Sequence, residues 1–142
     1  MKGLALGAPY FKLIGMARGF IAAAMVGKTI GKRIGEEMVP VFIERFGNTP
    51  EEIFVSAPEL KRKLGEAAFK QVPPGALGLY TYAQRLAQGL RQLMSGNREF
   101  ALEYITRDDI ASLTKEATEI LGIPWVMDFE KHEVEQILDG KK

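Results

Sequence analysis

At 142 residues, with 46% hydrophobic and 26% charged side chains, the chain has the size and composition of one globular domain, and its net charge of +1 provides no global field for nucleic acid or acidic ligands. The absence of cysteine removes disulfides, iron–sulfur clusters, zinc–thiolate sites and thiol nucleophiles. Near-neutrality hides an asymmetry: residues 1–35 carry Lys2, Lys12, Arg18, Lys28, Lys32 and Arg33 without one acid, and all 18 acidic residues follow.

The N-terminal segment, residues 1–39, is expected to form a long helix over about 10–39. Small residues recur at every fourth position, as Gly3, Gly7, Gly15, Gly19, Ala23, Gly27, Gly31 and Gly35, with Phe11 the only break. Four residues advance a helix about 40° beyond a turn, so the full series winds around the axis. Only Gly27, Gly31 and Gly35 stay on one side. Glycine costs a helix interior about 1 kcal/mol relative to alanine, and close approach of another backbone would offset it. Ile30, Ile34 and Met38 lie beside these glycines, with Lys28, Lys32 and Arg33 opposite. Residues 13–26 are apolar nearly all round except at Arg18 and need cover from several directions.

Lys12 and Arg18 interrupt the apolar run, so neither a cleaved leader nor a membrane-spanning helix, which needs about 20 apolar residues, is expected. A cytoplasmic protein is expected, with lying on an anionic membrane surface as the alternative for a segment of six unopposed cations. The run from Ala22 to Thr29 resembles a phosphate loop, Gly27-Lys28-Thr29 included, but alanine stands at its first glycine. The preceding alanines favour helix over the loop that phosphate binding requires.

Thr49-Pro50-Glu51-Glu52 is a capping box with proline at the first helical position and predicts a helix from Pro50. Ser56-Ala57-Pro58-Glu59 predicts another, running to about Gln71 with Leu60, Leu64 and Ala67 inward. Val72-Pro73-Pro74-Gly75 breaks the chain. From about Leu77 to Ser95, Leu79, Ala83, Leu86, Leu90 and Leu93 alternate four- and three-residue steps, the spacing of a packing seam.

Phe100, Leu102 and Tyr104 alternate as a short strand would, or a helix runs through 98–105, and 123–127 offers a second strand. Thr106-Arg107-Asp108-Asp109 predicts a helix with Ile110, Leu113, Ala117, Ile120 and Leu121 on its inner face, ended by Gly122 and Pro124. Asp128 is read as the cap of the last helix, which buries Phe129, Val134, Ile137 and Leu138 and ends at Gly140.

The fold class is therefore mainly α, with α+β the alternative if 99–105 and 123–127 pair. One domain over 1–142 is expected, its segment 1–39 packed on or projecting from 40–142. His132 is the single histidine, opposite the expected buried face, so no two-histidine metal site exists within one chain. Glu36/Glu37, Glu51/Glu52 and Asp108/Asp109 each have a structural reason: helix pairing with Lys32 and Arg33, or a helix first turn. No cofactor, metal or nucleic acid is expected, and no catalytic set emerges. The leading expectation is a non-enzymatic protein that self-associates as a homo-oligomer through Gly27, Ile30, Gly31, Ile34, Gly35, Met38, Leu86 and Leu90. A module binding a lipid or other apolar small molecule, in a pocket of Arg18, Tyr80, Tyr82 and Trp125, is the second. Peripheral membrane association is the third.

Overall fold

Hydroxyl caps, prolines and positive-φ residues set where the helices begin and end. A computed structural model describes residues 1–140, the side chains of His132 and Glu133 excepted. The chain is mainly helical, 62% of it, with no strand or sheet among the described residues. In chain order the helices are α1 (Lys2–Gly7), α2 (Arg18–Gly35), α3 (Val41–Glu44), α4 (Pro50–Ile53), α5 (Ala57–Leu64), α6 (Glu66–Phe69), α7 (Pro74–Gly96), α8 (Lys115–Leu121) and α9 (Lys131–Leu138). Two 3-10 turns cover Leu102–Tyr104 and Arg107–Asp109.

The long N-terminal helix is shorter than its glycine spacing suggests, running over 18–35 rather than 10–39. Before it, the amides of Tyr10 and Phe11 both close on the Gly7 carbonyl at 2.9 Å, and the chain is non-helical from there to Ala17. At its end Glu37 takes a left-handed conformation, φ 54°, while the Met38 amide donates to Arg33 O at 2.9 Å and Glu37 N to Ile34 O at 3.1 Å. That pair of bonds is a Schellman stop, which satisfies carbonyls the helix would otherwise leave open.

The box at Thr49 forms as read: the Glu52 carboxylate accepts from Thr49 N at 3.0 Å and from Thr49 Oγ1 at 2.8 Å. The helix expected over 58–71 is instead two, because Gly65 sits at φ +81° and ends α5 before α6 starts. Leu64 and Ala67 are accordingly exposed, and Phe69 takes the buried place.

Three further readings are corrected. Residues 99–105 form neither strand nor α-helix, only the 3-10 turn over Leu102–Tyr104, with Phe100, Leu102 and Tyr104 exposed. Trp125 makes an isolated parallel bridge with Ser112 instead, through Ser112 N to Pro124 O and Val126 N to Ser112 O, both 2.8 Å. Thr106 does form its box with Asp109, yet Ile110 is extended and a second cap, Thr114 Oγ1 accepting from Ala117 N at 3.2 Å, starts α8. Leu113 and Ile120 consequently lie exposed. The final helix starts at Lys131 behind Glu130, which is left-handed at φ 57°, and not behind Asp128; Val134, Ile137 and Leu138 are exposed. The reading of the His132 side chain falls outside the described residues.

The chain divides into two compact units, one of Met1–Ile14 with the described residues from Arg91 onward and one of Gly15–Leu90. In the 15–90 unit, Phe54, Ala57, Phe69 and Leu77 form the buried cluster, with Ile30, Leu60 and Val72 packed against it. In the other unit the buried apolar residues are Ala5, Met94, Ile105 and Ile123. The half-buried Arg107 donates to Leu6 O at 3.4 Å and to Leu121 O, tying the C-terminal ends of α1 and α8 together. A cation suits both carbonyl ends.

Candidate functional site

The glycine contact expected around 27–35 is made, and it is made within the chain. A Cβ on Gly27 would lie 2.7 Å from Pro74 O and 3.0 Å from the Gly78 Cα, and one on Gly31 would enter the Pro74 ring. Gly35 faces open space. So α2 turns Ala23, Gly27 and Ile30 toward α7, and its helical phase sends Ile21, Met25 and Val26 the other way.

Those three side chains are 59%, 65% and 57% exposed. The same outward face continues into Lys28, Lys32 and Arg33, all exposed. Lys32 and Arg33 pair with Glu36, at 3.5 and 4.0 Å, whereas Lys28 has no ion pair among the described residues. Arg18 stands exposed in the first turn of α2, where no side chain caps the helix, and has no ion pair among the described residues. A cation at that end opposes the helix dipole and gains nothing locally. Beside Met25 and Lys28, a shallow cleft of about 470 Å³ runs along Pro73, Pro74 and Gly75 and extends the apolar area. The result is an outward strip: a cation, an exposed apolar turn and a half, then three cations.

Signals for this strip were in the sequence: with Gly27 facing a neighbour, Ile21 and Met25 fall on the far side by phase alone. Of the four residues read as a ligand pocket, Arg18, Tyr80 and Tyr82 belong to the 15–90 unit, and Tyr82 lies beside Gly19 and Phe20 at the start of α2. Tyr80 accepts from Lys63 Nζ at 3.2 Å and donates to Glu59 Oε1 at 3.4 Å, in a surface ion-pair cluster. Tyr82 stacks edge-on against Phe20, centroids 5.4 Å apart, with its hydroxyl 3.7 Å from Met16 Sδ. Arg18 is the exposed cation above. Trp125 belongs to the other unit, where Lys115 Nζ lies 4.9 Å over its ring.

Among the interface candidates, Gly27 and Gly31 are covered by their own chain and Ile30 packs on the core. Ile34 and Leu90 are half-buried, and Gly35, Met38 and Leu86 are exposed. Residues 22–29, read against a phosphate loop, are helix throughout, and Thr29 Oγ1 donates back to Met25 O at 3.0 Å. No group of metal-ligating side chains gathers among the described residues.

Two carboxylates of the 15–90 unit have displaced titration. Hydrogen bonds from the Thr49 side chain, and from the Asn48 and Thr49 amides, hold the Glu52 carboxyl below its ordinary range. The Lys63 ammonium, 2.6 Å away, does the same for Glu59, and Glu59 in turn raises Lys63. Both clusters are at the surface and read as helix-stabilising.

In the unit that holds α1, a larger cleft of about 910 Å³ opens between Leu4–Lys12 and Ala101–Asp108. Its lining combines apolar side chains with charged ones of both signs. Its two sides are nearly a hundred residues apart in sequence, beyond the reach of any local pattern.

No helix among the described residues is long and apolar enough to cross a membrane. No family model, curated protein or solved structure matches the chain.

Proposed function

We propose that this chain is a non-catalytic peripheral protein that docks on anionic lipid surfaces through the outward strip of α2. The observation carrying the reading is the exposed apolar run Ile21, Met25 and Val26 leading into Lys28, Lys32 and Arg33, with no acid before Glu36. Fully burying a side chain of this size is favourable by about 1.5 kcal/mol or more. Each cation near an anionic surface adds about 1 kcal/mol. Neither part suffices alone, which makes the two-signal combination the specific feature. Co-sedimentation with vesicles of phosphatidylcholine alone, and with phosphatidylserine added, tests it. Binding should require the anionic lipid and weaken in high salt; binding indifferent to both sinks the reading.

Self-association is a second reading, favoured by one observation: Leu79 and Leu86 lie exposed seven residues apart on α7, beside half-buried Ala83 and Leu90. Such a stripe fits a second helix of the same repeat. The glycines do not serve this contact, since Pro74 and Gly78 already cover Gly27 and Gly31. Light scattering of Leu86→Lys decides it: an unchanged molar mass with the helical content intact removes the reading.

A further inference from the structure

The cleft of about 910 Å³ beside α1 lies apart from the α2 strip in sequence, and none of its lining residues belongs to the 15–90 unit. Its volume is that of a small-molecule site. Leu4, Phe11, Leu102 and Ile105 supply apolar wall. Four ionic side chains share the lining, Lys12 and Arg107 against Glu103 and Asp108, so the signs balance. None of the four is ion-paired among the described residues. The Arg107 guanidinium donates to the backbone carbonyls of Leu6 and Leu121.

An apolar lining alone would take any greasy molecule. A rim of one sign would select the opposite charge. Balanced, unpaired charges beside apolar side chains in one lining match a ligand that carries both signs on its head and an alkyl body. Its anion meets Lys12 and the Arg107 field, its cation meets Glu103 and Asp108, and the chain lies on Leu102 and Ile105. We propose that this cleft binds a zwitterionic single-chain amphiphile.

Isothermal titration of the full chain with dodecylphosphocholine, dodecyl sulfate and dodecyltrimethylammonium, each below its micelle concentration, tests the proposal. The zwitterion should bind about tenfold tighter than either singly charged chain, the scale of one charge-assisted contact. The double variant Glu103→Gln/Asp108→Asn should lose that preference and favour dodecyl sulfate instead. Leu102→Asp, at an exposed wall position, should weaken all three, with circular dichroism verifying the fold. Equal affinity for the three amphiphiles, no detectable binding, or an unaltered order in the double variant overturns the proposal. Met25→Asp, on the α2 strip that calls for an anionic lipid, should leave the dodecylphosphocholine titration unchanged, and a loss there would assign the binding to that strip instead.

Discussion

Gly27 of α2 and Gly78 of α7 meet backbone to backbone: a Cβ on Gly78 would fall 2.9 Å from the Gly27 Cα and 2.6 Å from Ala23 O. Two glycines in helix interiors together forgo about 2 kcal/mol of propensity, and this close crossing is what offsets it. Gly78→Ala should therefore lower stability by about 1–3 kcal/mol, the cost of overpacking. Gly89→Ala, on the same helix with nothing within 4 Å of its Cβ position, should raise it by about 0.5–1 kcal/mol. Urea unfolding of both variants checks the pair; shifts of the same sign would contradict the crossing.

Glu37 holds the left-handed position of the stop after α2, φ 54°, where a side chain is disfavoured. Glu37→Gly should stabilise the chain by about 1 kcal/mol, and Glu37→Val should destabilise it. Thermal melts distinguish the two directions.

Arg107 is expected to behave as a clamp. Arg107→Ala leaves Leu6 O and Leu121 O without their cationic donor and should cost about 1–3 kcal/mol. Arg107→Lys has one nitrogen for two carbonyls, so it should restore only part of that loss. Chemical denaturation measures both.

The two displaced carboxylates fix the sign of the acid response. A carboxyl whose folded pKa lies below its unfolded value stabilises the fold fully above about 4.5, and that contribution disappears as pH falls through the lower folded value. Lys63, raised from 10.5, contributes fully below that pH and loses its part as pH rises through the raised value. Melting temperature against pH should thus flatten on the acid side in Glu52→Gln, and on both sides in Glu59→Gln. Concentrated salt should blunt the Glu59–Lys63 part, an exposed ion pair, while sparing the Thr49 hydrogen bonds.

Met25→Asp places a charge in the middle of the apolar strip without touching the α7 face of α2. Vesicle binding should fall at least tenfold, since the acid removes apolar contact and opposes the lipid charge together. The melting temperature should hardly move, because Met25 is 65% exposed. A large drop in melting temperature would show that the side chain serves the fold.

What the sequence disclosed was mostly local. Thr49 and Glu52 lie three residues apart and proline follows at once, so their box could be recognised directly and it forms. Thr106 and Asp109 carry the same pattern, yet theirs closes a 3-10 turn, because Thr114 supplies the cap that α8 actually uses. Gly65 stood inside an amphipathic pattern with nothing to mark its positive φ. At longer range, phase arithmetic picked out Gly27, Gly31 and Gly35 as contact glycines; Gly35 faces open space, and the partners of the other two in Pro74 and Gly78 depended on how two distant helices cross. The cleft between Lys12 and Glu103 was out of reach for the same reason, since tertiary placement alone joins its sides.

The crossing of α2 on α7 also bears on how the 15–90 unit forms. Gly27 and Gly78 are roughly fifty residues apart, and closing a loop of that length carries an entropic penalty that grows with its logarithm. By contrast α5 and α6 are neighbours and can consolidate early through Ala57 and Phe69. Phe54, Ala57 and Phe69 lie within about fifteen residues of one another and Leu77 follows shortly after, so this cluster closes only short loops. Because the crossing has no room for a Cβ, it docks bare backbones, with little tolerance for a misaligned register.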